Sequence, residues 1–286
     1  MIAPAFGVLF DGFAYGMLLF LLSVGLSVTL GMMNFVNLAH GSFAMLGAYV
    51  VVTLMGMGWP FFATLPCAFI VAAVVSVAFE RSLFRRLYRA SDLRQVLMTL
   101  GLAFISVAAA AWFYGTMQQP VRLPAYLRSY ATFMGINFSI YRLFLIAVAL
   151  AITVLLVATL EYTRFGAQVR AAVDNQRMAE GLGIDVDGVF AVTFAVGSGL
   201  AGLGGALAIE IVGLDPNFAF TYLIYVLIVV AVGGLGSIRG SLLAAIVLGV
   251  SDAAGKYYIP TLGAFLIYLV MVGMMLWRPS GLFGRR

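Results

Sequence analysis

Two amides and an imidazole recur three residues apart in the stretch Gly31 to Gly41, GMMNFVNLAHG: Asn34, Asn37 and His40, followed by Gly41. Groups of this kind can hydrogen-bond the polar ends of a small solute, or they can bond backbone atoms and pin a non-helical turn. The two roles can coexist. Nucleophilic catalysis is a poor fit, because no Ser, Cys or Asp stands at a recognisable partner spacing to His40. His40 is the single histidine and Cys67 the single cysteine, so a multi-histidine site, a thiolate metal cluster and an intrachain disulfide are excluded.

Two nucleotide-like motifs fail on context. Gly197, Gly199 and Gly202 match G-x-G-x-x-G but lie inside an apolar stretch with no preceding strand. Gly255 with Lys256 resembles the end of a phosphate-binding loop, yet Tyr257 stands where Ser or Thr is required and Val250 where the first Gly belongs. The chain therefore reads as binding no nucleotide itself. Gly197, Ala201 and Gly205, spaced four apart, form a face of small residues on which membrane helices can approach closely, and Gly236 with Gly240 and Gly12 with Gly16 repeat the theme. Three carboxylates, Asp11, Glu210 and Asp252, fall near the outer ends of apolar runs with no evident cationic partner. Carboxylates at such ends read as vestibule or interfacial groups rather than as a mid-membrane proton path.

The elements that must position these residues follow from composition. Of 286 residues 64% are apolar and 9% charged, with a mean hydropathy of +1.09, against about 45–50% and about 25% in ordinary soluble domains. A soluble fold could not hide so much apolar surface, so lipid is the solvent. Apolar segments run over about 7–29, 39–58, 60–79, 96–114, 142–160, 189–212, 219–233, 240–255 and 263–277, nine in all. The expected fold is all-α: a polytopic bundle of eight or nine transmembrane helices in a single domain, 1–286. The first residues lack the basic region of a signal peptide, so the first apolar stretch is expected to be retained. The net charge of +5 is scattered between apolar runs rather than gathered on one face, which argues against a nucleic-acid partner.

Loop cations set the orientation. One set of loops carries Arg81, Arg85, Arg86, Arg89, Arg94, Arg164, Arg170, Arg177, Arg239, Arg278, Arg285 and Arg286, the alternate set Arg122, Arg128, Arg142 and Lys256. Twelve against four predicts an outer N-terminus and a cytoplasmic C-terminus, and hence an odd number of spans. Gly31 to Gly41 reads as a short cytoplasmic turn between the first two spans, or alternatively as a broken helix within the membrane, where it would line a path. The outer loop, about 115–141, contains Pro120, Pro124 and a run of aromatics and reads as an ordered cap or a short interfacial helix. The inner loop, about 161–188, holds a helix-compatible stretch from Ala167 to Leu182 with amphipathic spacing. A helix displayed between two spans is a docking surface, or an anchor lying among lipid headgroups.

Four blocks, GLSVTLGMMNFVNLAHGSFAMLGAYV, TRFGAQVRAAVDNQRMAEGLGID, VGGLGSIRGSLLAAIVLG and WRPSGLFG, resemble in sequence and order the permease subunits of bacterial branched-chain amino acid ABC transporters. The resemblance covers nearly the whole chain. It implies half of a transmembrane pathway in the cytoplasmic (inner) membrane, paired with a second homologous permease, two ATPase subunits that hold ATP and Mg, and a periplasmic binding protein. It also implies that Arg164 to Ile184 forms the coupling helix, with Arg164, Gly166, Arg170, Asn175, Ala179, Glu180, Gly181 and Gly183 on it, although the order Ala-Glu-Gly departs from the Glu-Ala-Ala signature of ABC permeases. Asn34, Asn37, His40 and Gly41, amid Met32, Met33, Phe35 and Leu38, would then serve a small zwitterion with an apolar side chain. Relatives of the family are associated with urea, short amides and aromatic acids as well, and a secondary transporter shares the hydropathy, so the solute and the driving force stay open here.

Overall fold

The computed structural model describes residues 2–283 except 34, 89, 122 and 134–135. Asn34 and four of the loop arginines, Arg89, Arg122, Arg285 and Arg286, lie outside the described residues. The order of elements is α1 (Ile2–Met33), α2 (His40–Gly56), α3 (Phe61–Ser82), a 3-10 turn (Phe84–Arg86), α4 (Asp92–Tyr114), β1 (Tyr130–Phe133), β2 (Ile136–Ser139), α5 (Ile140–Tyr162), α6 (Arg164–Asp174), α7 (Gln176–Gly181), α8 (Val186–Val212), α9 (Phe218–Gly233), α10 (Ile238–Tyr258) and α11 (Gly263–Trp277). Each of the nine apolar segments lies on a helix. Six of these helices, α1, α3, α4, α5, α8 and α10, are long and apolar enough to cross a membrane, whereas α2, α9 and α11 supply shorter apolar stretches of 10–17 residues. The architecture is a multi-pass membrane helix bundle.

Two helices form its centre. The apolar windows of α1 and α8 are 83% and 78% buried, against 17% for α4 and α5, which stand on the rim. Lipid offers no hydrophobic drive between helices, so close backbone approach through small residues must hold them together. Gly12 and Gly16 bring α1 against Val250, Gly249 and Ala245 of α10, and Gly25 lies against Gly197 of α8. Gly205 meets the backbone of Ala44 on α2, Gly202 faces Gly47 and Ala72, Gly31 meets Gly236, and Gly240 meets Gly233. Ala201 is fully buried. The residues of the 197/201/205 face thus serve different neighbours, since α8 is packed on several sides at once.

Both long loops depart from their expected forms. The outer one contains an antiparallel hairpin, Tyr130 opposite Ser139 and Thr132 opposite Asn137, and not an interfacial helix. Its strands are rich in aromatic and β-branched residues, which favour a pleated surface. Phe138 anchors the hairpin edge-on to Phe10 of α1 at 4.8 Å. In the inner loop the single expected helix is two. Asn175, with φ −156°, stops α6, and its side chain accepts from the Met178 amide to start α7.

Candidate functional site

The chain between α1 and α2 is no turn at the end of the first span. His40, the first residue of α2, has Nε2 2.9 Å from the carbonyl oxygen of Leu22. Leu22 precedes Met33, the last residue of α1, by three helical turns, so α2 starts about 16 Å back along α1. Gly31, Met32 and Met33 belong to α1, and residues 35–39 return as non-helical chain beside it. The cytoplasmic turn expected over Gly31 to Gly41 is therefore replaced by its alternative, a break within the bundle.

Non-helical backbone at this depth survives only where protein satisfies it. Two polar side chains of α4, one turn apart, do so: the Val36 amide donates to Gln95 Oε1 at 3.0 Å and the Leu38 amide to Thr99 Oγ1 at 3.1 Å. Gln95 in turn donates to the Leu87 and Ala90 carbonyls. Asn37 Oδ1 accepts from the Ala39 amide. Phe35, fully buried, fixes the segment among Phe84, Tyr88 and Phe194, with centroids 5.4, 5.4 and 6.4 Å away. Tyr88 donates to the buried carboxylate of Glu80 at 2.9 Å. Gly41 lies against the backbone of Ala219 on α9.

One face of α2 borders a half-open cavity of about 780 Å³ that it shares with α3 and α4. Its walls are mostly apolar, including Phe43, Met45, Leu46, Val75, Phe79 and Leu102. Ser42 and Tyr49 line it, and among the described residues their hydroxyls are buried without a hydrogen-bond partner, as is the Asn37 amide nitrogen two residues before the first lining residue, Ala39. The far end is closed by Tyr114, stacked on Tyr49 at 4.3 Å and hydrogen-bonded through its hydroxyl to Thr53 at 2.7 Å. Buried polar atoms lacking partners are uncommon because each costs about 1–3 kcal/mol. The place of the two hydroxyls beside an apolar cavity suits a ligand with polar ends and an apolar body. Of the residues expected from the sequence, Asn37, His40 and Gly41 build the start of α2, while Ser42, Tyr49, Gln95 and Thr99 were missed. The i, i+4 spacing of Gln95 and Thr99 in an apolar run was the available signal.

In the loop over 161–188, Thr163 caps α6 by accepting from the Gly166 amide at 3.2 Å, and Gly166 packs on the backbone of Leu160. The Arg170 guanidinium donates to the Leu160 carbonyl, and Glu161 pairs with Arg239 of α10 at 2.7 Å. Ala172, Ala179 and Val186 form a small apolar cluster of their own, joining α6, α7 and the start of α8. Arg164, Asn175, Glu180, Gly181 and Gly183 are exposed, and Gln176 donates to Glu180 at 3.0 Å. Met178 and Leu182, one turn apart, are 68% and 79% exposed. On the outer side, Asp11 and Asp252, for which the sequence offered no evident partner, pair with Arg142 and Lys256. The second pair was readable as an i, i+4 spacing.

A multi-pass membrane helix bundle with a broken helix beside a cavity is the kind of architecture that transport proteins use. The chain belongs to the family described as branched-chain amino acid transport system, permease component, which matches residues 8–275. It is 26% identical over 293 residues to the high-affinity branched-chain amino acid transport system permease protein LivH of Escherichia coli, covering 97% of this chain and 94% of the relative. The probable branched-chain amino acid transport permease protein LivH of Methanocaldococcus jannaschii is 27% identical, covering 94% of this chain and 90% of that one. A second Escherichia coli permease protein of the same kind of system, LivM, is 26% identical over 93% of this chain and 68% of its own length.

Proposed function

We propose that the chain is the transmembrane permease subunit of an ATP-binding cassette importer and forms half of a pathway for branched-chain amino acids. Its complement would be a second homologous permease, two ATPase subunits holding ATP and Mg, and a periplasmic binding protein, in an inner membrane with the N-terminus outside and the C-terminus cytoplasmic. The match of this chain to both LivH and LivM of one organism supports a related but distinct partner.

The observation that carries the pathway is the set of unsatisfied buried atoms beside the α2, α3 and α4 cavity. The hydroxyls of Ser42 and Tyr49 can donate to a carboxylate or accept from an ammonium, the nearby Asn37 Nδ2 can donate to a carboxylate, and the apolar walls suit an aliphatic side chain. Asn37, His40 and Gly41 hold the mouth of this pathway in place, and Asn34 adjoins it in sequence.

Coupling would run through the inner loop. ATPase closure displaces α6, with Arg164, Gly166 and Arg170, and α7, with Ala179, Glu180 and Gly181, together with Asn175 between them and Gly183 after them. Their shared apolar cluster makes the pair move as one piece, and the Glu161–Arg239 pair delivers the motion to α10. The bundle then exchanges two packed arrangements, with ATP favouring one by differential binding. In the reconstituted complex, Ser42→Ala with Tyr49→Phe should lower L-leucine uptake by about tenfold or more, the effect of losing roughly 1.4 kcal/mol. Unchanged uptake in a fully assembled double variant refutes the pathway.

A further inference from the structure

A second cavity, of about 560 Å³, opens between the outer ends of α1, α5, α9 and α10. Both outer ion pairs line it: Asp11 with Arg142, and Asp252 with Lys256 at 2.6 Å. Tyr15 and Tyr222 stand between them, and Lys256 Nζ lies 5.5 Å from the Tyr15 ring centroid. The Asp252 side chain is only 4% exposed.

We infer that this cavity is an outer binding site for a small zwitterion, an α-amino acid, separate from the α2 cavity. Asp252 is the one deeply buried charge of the four: the Asp11, Arg142 and Lys256 side chains are 48%, 34% and 57% exposed and reach the open cavity. Here two anions and two cations face one space with net charge zero. A ligand carrying one ammonium and one carboxylate can exchange partners with either pair: its carboxylate takes Arg142 or Lys256, and its ammonium takes Asp11, or Asp252 with the face of Tyr15. Every charge stays paired throughout. A ligand with a single charge makes only one of the two ionic contacts, and a lone carboxylate that takes Lys256 leaves the buried Asp252 unpaired, so the site discriminates against both. The aromatic walls accept the side chain. The inference rests on the amino acid reading of the transport function and adds a staging site before the membrane-depth cavity.

The test uses the whole complex in lipid nanodiscs without nucleotide, with radiolabelled L-leucine as the probe. The expected result is saturable binding that unlabelled L-leucine displaces and that leucinamide and 4-methylpentanoate, each carrying one charge, do not. Arg142→Gln and Asp252→Asn should each weaken binding by about tenfold or more. Where a single variant fails to assemble, the neutral double variant Asp11→Asn with Arg142→Gln leaves no unpaired charge and should assemble with weakened binding. Wild-type affinity in the assembled charge variants, or equal displacement by the singly charged analogues, overturns the outer site. Normal ATP-driven leucine uptake alongside that result leaves the transport reading standing, and loss of uptake in the unaltered complex removes the transport reading instead.

Discussion

The imidazole of His40 and the carbonyl of Leu22, 18 residues apart in sequence, meet at 2.9 Å in the interior of the bundle. This contact fixes where α2 begins. A helix start deep in the bundle leaves its first amides and the preceding chain in need of partners, which is why Gln95, Thr99 and the Asn37 side chain are committed to backbone amides there.

His40→Ala should therefore leave the Leu22 carbonyl beside a hole and destabilise the folded chain by about 1–3 kcal/mol. The measurement is detergent thermal stability alongside transport. His40→Gln, which keeps a donor of similar reach, should recover a large part of both. An alanine variant with native stability and uptake would show that the contact is dispensable.

Close helix contacts predict a sharp contrast between glycines. Gly25 lies against the backbone of Gly197, and Gly205 against that of Ala44, so Gly25→Leu or Gly205→Leu should abolish accumulation of folded protein in the membrane. Gly101 on the rim helix α4 has open space where a side chain would go. Gly101→Ala should be neutral or add up to about 1 kcal/mol of helix stability. Equal tolerance at all three sites would contradict the packing.

The exposed apolar pair on the inner loop gives a separate expectation. Met178 and Leu182 project from the tip of the α6–α7 unit, and their replacement by Ser should leave the bundle folded while weakening its capture of the ATPase subunits by about 1 kcal/mol or more per side chain. Substrate-stimulated ATP hydrolysis in the assembled complex reads this directly. Normal stimulation in the double variant would remove the loop from the coupling path. Arg170→Glu should act from the other side, by releasing α6 from the Leu160 carbonyl.

The nine apolar runs were legible because each is a local property of composition. The inner loop declared itself as helical for the same reason, although the capping power of Asn175 was overlooked and one helix was expected where two exist. The depth of the α1 to α2 break was not legible. It depends on contacts between residues 59 to 61 positions apart, Val36 with Gln95 and Leu38 with Thr99, and an isolated Gln or Thr in an apolar run does not announce what it will satisfy. The Glu161–Arg239 pair, 78 residues apart, is of the same kind. Ser42 and Tyr49 escaped notice because a hydroxyl in a membrane helix usually bonds its own backbone, as Thr53 does to Tyr49. Only the packed structure reveals which ones are left free.

The most direct measurement is uptake of labelled L-leucine into proteoliposomes containing the chain purified with its co-purifying subunits, with Mg-ATP inside the ATPase-facing compartment and binding protein on the other side. The account predicts recovery of two ATPases and a second permease, with uptake that requires ATP and persists when ion gradients are collapsed. Uptake by this chain alone, driven by an ion gradient and indifferent to ATP, would contradict it.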